Sequence, residues 1–216
     1  NEAKVAPQVS IFGQQTGRCN IHLTPEFLMF RVHFRPGVLF RLFGVPLVAF
    51  SGDYFDAERL LDRRVWDVQE QLASADTYPK MVEVVEKFLL RLVKQAQGEV
   101  HPLDQVAACL TASPTRFSLD WLASQACLSP RQFNRKFTER MGVGPKLYSR
   151  LVRFFNASRF KNANPEIDWL TVAVQFGYTD YQHLAKDFRQ FTAAAPNLWI
   201  QEEEASPEHL LRLARK

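Results

Sequence analysis

The stretch LDWLASQACLSPRQFNRKFTERMGVGP, residues 119–145, returns as WLTVAVQFGYTDYQHLAKDFRQFTAAAP at 169–196. Ala123 pairs with Ala173 and Ser129 with Thr179, an offset of 50 in residue number. Phe137 pairs with Phe188 and Pro145 with Pro196, an offset of 51, so the second copy gains one residue early in its second helix. Each copy reads as helix, tight turn, helix. Two such units on one chain point to double-stranded DNA, because a second recognition helix multiplies specificity when both reach the same duplex.

In the first copy Ser118 is a candidate N-cap for a helix over residues 119–125. Leu119, Leu122 and Ala123 are expected to face inward, with small Ala123 letting the next helix cross closely. Ser129-Pro130-Arg131-Gln132 then supplies an N-cap serine, a proline at the first helical position and the glutamine of a capping box. Leu128 can staple onto Phe133. With Phe133 and Phe137 on the core face, Arg131, Asn134 and Arg135 turn outward, where arginine favours guanine and asparagine favours adenine.

The second copy repeats the logic with other chemistry. Thr179 is the predicted cap, Gln182 the partner in a second capping box, and Leu184, Phe188 and Phe191 the inward face. Tyr181, Gln182 and Lys186 are left to meet DNA, with His183 near them, and Gly177 sits where the turn favours a positive φ.

A continuous helix over 146–161 links the copies; at 1.5 Å per residue it is about 24 Å long, against about 34 Å between successive major grooves. Between 129 and 161 stand Arg131, Arg135, Lys136, Arg140, Lys146, Arg150, Arg153, Arg159 and Lys161 against Glu139 alone, a local balance of +8. The whole chain carries only +4, so its excess charge is concentrated around the first recognition helix and the link. From 166 to 191, Lys186 and Arg189 face Glu166, Asp168, Asp180 and Asp187, a balance of −2.

Outside the repeat, 216 residues suffice for one large domain or two smaller ones. Residues 8–15, 19–23 and 27–34 read as strands, the last because Phe30, Val32 and Phe34 alternate with Arg31 and His33. Pro36-Gly37 breaks that strand, and 38–43 reads as a short helix stopped by Gly44. Amphipathic helices follow at 57–73 and 80–97, the second with Val84, Phe88, Leu89, Leu92 and Val93 on one stripe. Three strands cannot close a barrel. That shortfall and the missing initiator Met predict a chain that begins inside a domain. A hinge is expected at 97–99, then a helix over 101–112 with Leu103, Val106, Ala107 and Leu110 on its apolar face. The expected organisation is 1–97, a small partial β/α region; 98–200, with helix-turn-helix units at 118–140 and 168–191; and a tail, 201–216, in which Ser206-Pro207-Glu208 can cap a short helix. The chain is thus mainly α, α+β as a whole.

The bounds on other chemistry are simple. Cys19, Cys109 and Cys127 have no C-x-x-C spacing, and His22, His33 and His101 have no H-x-H or i, i+4 spacing, so no metal site is expected. The cysteines read as reduced, buried small apolar residues of a cytoplasmic protein. No apolar run spans a bilayer, no signal-peptide pattern opens the chain, and no catalytic or cofactor constellation is visible.

At these residues the sequence resembles the AraC/XylS family of bacterial transcription regulators. The resemblance runs from about 101 to 200. It rests on the duplicated motif, Ser-Pro-Arg-Gln-x-x-Arg-x-Phe at 129–137, Gly142-x-x-Pro145 and Gly177-Tyr178. It implies a seven-helix domain with two helix-turn-helix units and a rigid linking helix, binding promoter DNA to activate or, less often, repress transcription. The base-facing positions it implies are Arg131, Asn134 and Arg135, then Tyr181, Gln182 and Lys186. Phosphate contacts are expected from Ser129, Lys136, Arg150, Arg153 and Thr179. Further partners consistent with it are RNA polymerase, a small-molecule effector and a second copy of the chain, with no membrane and no cofactor. Two departures stand out: Ala193-Ala194-Ala195-Pro196 replaces the usual Gly-x-Thr/Ser-Pro, and Phe160-Lys161 replaces a pair of leucines. Residues 9–92, with Phe34-Arg35-Pro36-Gly37 before a helix, look like a sensor-like domain of some such regulators. That likeness implies a truncated jelly-roll-like effector or dimerisation domain.

Two other functions remain open on the residues alone. One is a helical protein–protein interaction module that keeps the fold without reading DNA, which the acidic second unit and Glu202-Glu203-Glu204 would suit. The outward Arg/Asn/Gln set argues against it. The other is an enzyme-linked regulator such as a DNA-repair methyl acceptor, which would need a zinc-binding cysteine cluster that the sequence lacks.

Overall fold

The computed structural model describes residues 7–19, 29–50, 54–61, 64–96, 98–114 and 117–206. Among them the regular structure is helical apart from one two-stranded sheet. It divides into two compact units, one formed by Asn1–Gln15, Ile21–Ala108 and Ala123–Gly144, the other by Thr16–Asn20, Cys109–Leu122 and Pro145–Lys216.

In the first unit β1 (Ser10–Phe12) pairs antiparallel with β2 (Tyr54–Asp56), in the register Ser10↔Asp56, Ile11↔Phe55, Phe12↔Tyr54. The strand expected at 8–15 thus shrinks to three residues, and β2 was not foreseen. Residues 29–34 form no strand, although Phe30, Val32 and Phe34 alternate as one would. Alternation is only half the requirement; a strand also needs a neighbour to satisfy its backbone, and none pairs here among the described residues. Phe30 stacks instead on Tyr78, ring centroids 6.4 Å apart. Of the strand expected at 19–23, all but Cys19 lies outside the described residues, as do 27 and 28.

Helix α1 (Val38–Phe43) has the expected bounds, set by two glycines in the left-handed region, Gly37 at φ 78° and Gly44 at φ 65°. A short 3-10 helix, Leu47–Phe50, follows. The helix expected over 57–73 is seen as α2 (Glu58–Leu61) and α3 (Arg64–Ala73), and the next as α4 (Tyr78–Gln95). Ala57, Leu61 and Val65 form a small core that Ile11, Phe43, Phe88 and Leu92 cover. Of the stripe read from sequence, Val84, Phe88, Leu89 and Leu92 are half-buried, while Val93 is 58 % exposed and Val85 is the buried residue of α4.

Among the described residues from 102 onward there are seven helices: α5 (Pro102–Ala112), α6 (Leu119–Gln125), α7 (Pro130–Met141), α8 (Pro145–Ala163), α9 (Trp169–Gln175), α10 (Tyr181–Thr192) and α11 (Pro196–Glu204). All four residues expected on the apolar face of α5 are buried. In α6, Leu122 and Ala123 are buried as expected, but Leu119 is 40 % exposed at the helix start. In the first unit α7 packs against the Leu47–Phe50 helix.

The second unit contains α8 to α11. Its core joins Ala157, Val172, Ala173, Tyr178, Leu184 and Phe188. Phe188 is the hub of an aromatic cluster, meeting Phe154, Trp169 and Trp199 edge to face at 4.8, 5.1 and 5.7 Å. Such contacts give direction to a core that area burial alone would leave fluid. Thr111 and Tyr148 share a hydrogen bond of 2.9 Å in the same unit.

All three cysteines are free and exposed, not buried as expected. A small apolar residue is tolerated in solvent at little cost, so cysteine composition is a weak guide to burial. Among the described residues no helix is long and apolar enough to cross a membrane, and no cluster of His, Cys, Asp or Glu could hold a metal ion. The proposed tail helix beyond Ser206 lies outside the described residues.

Candidate nucleic-acid interface

Helix α7 begins as the sequence dictates. The Ser129 hydroxyl accepts from the Gln132 backbone N–H at 3.4 Å, and the Ser129 N–H donates to Gln132 Oε1 at 3.2 Å, the reciprocal capping box, with Pro130 at the first turn. Gln132 is therefore engaged at the helix start. Phe133 and Phe137 are fully buried, which fixes the rotation of the helix and leaves Ser129, Arg131, Asn134 and Arg135 exposed. Lys136 is half-buried.

At the far end of α7 the structure adds a residue that the charge count had assigned to the surface. Arg140 is buried and meets Asp104 of α5 fork to fork, Nε to Oδ1 at 3.0 Å and Nη2 to Oδ2 at 2.8 Å. Its guanidinium also lies 4.6 Å from the centroid of the Phe40 ring, and Arg41 approaches the same carboxylate at 3.6 Å. Asp104 further accepts from the His101 N–H at 3.3 Å, while His101 Nδ1 accepts from the Leu103 N–H at 3.1 Å. Burial, then the positive charges of Arg140 and Lys136, lower the His101 pKa below its ordinary value.

Helix α10 starts one residue later than predicted. Its N-cap is Asp180, not Thr179: the carboxylate accepts from the His183 N–H at 2.9 Å and lies 3.1 Å from His183 Nδ1. No capping box through Gln182 forms, because the box would need the cap three residues before Gln182, and a carboxylate next to it accepts the same orphan N–H groups more strongly. The Asp180 pKa is lowered, chiefly by the His183 backbone hydrogen bond. Leu184, Phe188 and Phe191 are buried as expected; Gln182, His183 and Lys186 are exposed, Tyr181 is half-buried against the core, and Thr179 is exposed.

The turns of the two copies match bond for bond. Leu128 N–H donates to Ala123 O at 3.0 Å and Tyr178 N–H to Ala173 O at 2.9 Å; Cys127 N–H donates to Ser124 O and Gly177 N–H to Val174 O, at 3.0 and 3.1 Å.

Arg150 and Arg153 of α8 are not splayed into solvent. Arg150 Nη2 donates to Asp187 Oδ1 at 2.5 Å and to Gln190 Oε1 at 2.7 Å, and Arg153 Nη2 reaches Asp187 Oδ2 at 3.3 Å. Tyr178 donates its hydroxyl to Asp187 Oδ2 at 3.1 Å; burial and then the Asp187 charge raise its pKa far above the ordinary tyrosine value. Lys161 is likewise turned inward, onto the carbonyls of Pro165 and Ile167 at 2.6 Å each. Of the nine cations between 129 and 161, Arg131, Arg135, Lys146 and Arg159 are the exposed ones. The acidic balance of the second copy dissolves similarly: Asp168 caps α9, Asp180 caps α10 and Asp187 is buried. A sequence signal for Asp187 existed, since it lies on the apolar stripe between Leu184 and Phe191, where a carboxylate requires partners.

Residues 122–202 match the family described as "Helix-turn-helix domain". This segment is a helix-turn-helix domain. No curated protein matches the chain. Among solved structures, it is similar to the DNA-binding domain of AdpA, the global transcriptional factor, in complex with a target DNA. That match has 25 % identity over 49 % of this chain and 96 % of that one, with a TM-score of 0.44. It is also similar to ToxT from Vibrio cholerae, at 14 % identity over 57 % of this chain and 49 % of ToxT, with a TM-score of 0.44. The chain thus spans about half the length of ToxT.

Proposed function

We propose that this chain is a sequence-specific regulator of transcription that reads two successive major grooves, with α7 in one and α10 in the other. The observation that carries the reading is the repeated recognition helix, its aromatic face buried and its polar face exposed in both copies. On α7, Arg131, Asn134 and Arg135 are the base-edge contacts, since a guanidinium or carboxamide can bridge two atoms of one base. On α10 the same role falls to Tyr181, Gln182 and Lys186. Ser129 and Thr179 are phosphate contacts at the two helix starts, and Lys136 one farther along α7. Of the acids that suited an interaction module, Asp168 and Asp180 serve as helix caps and Asp187 as a buried anchor, which leaves Glu166 and Glu202-Glu203-Glu204 to support that alternative.

The test is selection of bound sites from a pool of random duplexes with the full chain. A bipartite site with centres about one helical turn apart is expected. Recovery of no enriched sequence at any salt concentration contradicts the reading.

A further inference from the structure

Asp187 belongs to the recognition helix α10 but cannot contact DNA, being 3 % exposed. A carboxylate in that position is costly unless its charge and lone pairs are met. They are met from outside the helix: Arg150 takes Oδ1 through both Nε, at 3.2 Å, and Nη2, at 2.5 Å, while Arg153 and the Tyr178 hydroxyl take Oδ2 at 3.3 and 3.1 Å. Arg153 also donates to the carbonyl of Gly177 at 3.2 Å, and its guanidinium lies 3.9 Å from the Tyr178 ring centroid. One acid therefore ties together α8, the turn at 177–178 and α10.

We propose that Asp187 is the positioning residue of the second recognition helix, and that Arg150 and Arg153 serve this acid and not the DNA phosphates. The proposal rests on the DNA-reading function above. Turning Arg150 toward a phosphate would break its contacts to Asp187 and Gln190 and leave the acid underpaired. Held as it is, the cluster sets the rotation of α10 about its axis, and so the direction in which Gln182 and Lys186 point. The first copy has no equivalent, because the offset of 51 places Lys136 opposite Asp187; its helix is anchored through Arg140 and Asp104.

The experiment compares this chain with its Asp187→Asn, Arg150→Gln and double variants, by hydrogen exchange and by binding to the duplex that wild type selects. Asp187→Asn is expected to speed exchange across 177–192 about tenfold and to weaken binding about tenfold. Base discrimination should fade at the positions that Gln182→Ala also alters, with the salt slope unchanged. Arg150→Gln should match it, and the double variant should be no worse than either. Tighter binding by Asp187→Asn with a steeper salt slope would overturn the proposal, since it would mean the acid had been withholding arginines from phosphates. So would a slope reduced by about 0.9 in Arg150→Gln with exchange unchanged. Should Asp187→Asn fail to fold, Tyr178→Phe deletes a single hydrogen bond and must speed exchange in the same segment; unchanged exchange overturns the proposal. If wild type selects no duplex, the DNA reading falls, and the exchange measurements still decide the anchoring role.

Discussion

Cys127 and Gly177 occupy the same place in the turns of the two copies, and both have positive φ, 54° and 74°. The helix ends show the reverse exchange: Gly142 closes α7 at φ 81°, while Ala193 closes α10 at φ 58°. Each copy thus needs two left-handed residues and supplies glycine at only one of them. A side chain with a Cβ costs roughly 1 kcal/mol in that region.

Ala193→Gly is accordingly expected to stabilise the protein by about 0.5–1 kcal/mol, and Gly177→Ala to destabilise it by about 1 kcal/mol or more. Urea unfolding midpoints measure both. A lower midpoint for Ala193→Gly would contradict the conformational account of the second helix end.

The Arg140–Asp104 pair is buried on both sides, with 10 and 7 % of the side chains exposed. Arg140→Ala leaves a buried carboxylate with only the longer contact to Arg41 and the His101 N–H bond, and a loss on the order of 3 kcal/mol is expected. Replacing both partners, as Arg140→Met with Asp104→Leu, should recover much of that loss. A double variant as unstable as the single one would show that the pair contributes packing and not charge compensation.

His101 makes the first unit sensitive to acid. Its Nδ1 accepts from Leu103, which a protonated ring cannot do, and its folded pKa lies below the ordinary value near 6.5. The unfolded chain therefore binds the proton more readily, so this contribution is present above pH about 6.5 and is lost as pH falls toward the lower folded value. The thermal midpoint should drop on acidification through that window, and His101→Asn, which keeps a cap acceptor but cannot titrate, should flatten the drop. An equal pH dependence in both proteins rules His101 out.

The two recognition helices should differ in their salt response. Lys136 stands on a helix with Arg131 and Arg135, whereas Lys186 stands on one with Arg189. Lys136→Ala is expected to reduce the slope of log affinity against log salt by about 0.9, and Lys186→Ala by less. The opposite ranking would assign the main electrostatic grip to α10.

What could be read from the sequence was whatever depends on near neighbours. The Ser129–Gln132 box, the bounds of α1 and α6, and the positive φ of Gly177 are all local choices that a few residues settle. Residues 29–34, the described part of the strand expected at 27–34, form none because pairing is a property of two segments, and the cap of α10 went to Asp180 because two adjacent candidates competed for one N–H. Arg140, Arg150 and Arg153 counted as surface charge in the sequence. Their partners Asp104 and Asp187 lie 34 to 37 residues away, a separation at which only the fold decides who meets whom.

The most direct test of two-helix reading repeats the duplex selection with Arg131→Ala and with Gln182→Ala. Each variant is expected to relax base preference at its own position, with the two positions about one helical turn apart and the rest of the site unchanged. If both variants relax the same half-site, or Gln182→Ala leaves the selected sequence intact, α10 does not read bases as Gln182 predicts and the account is wrong.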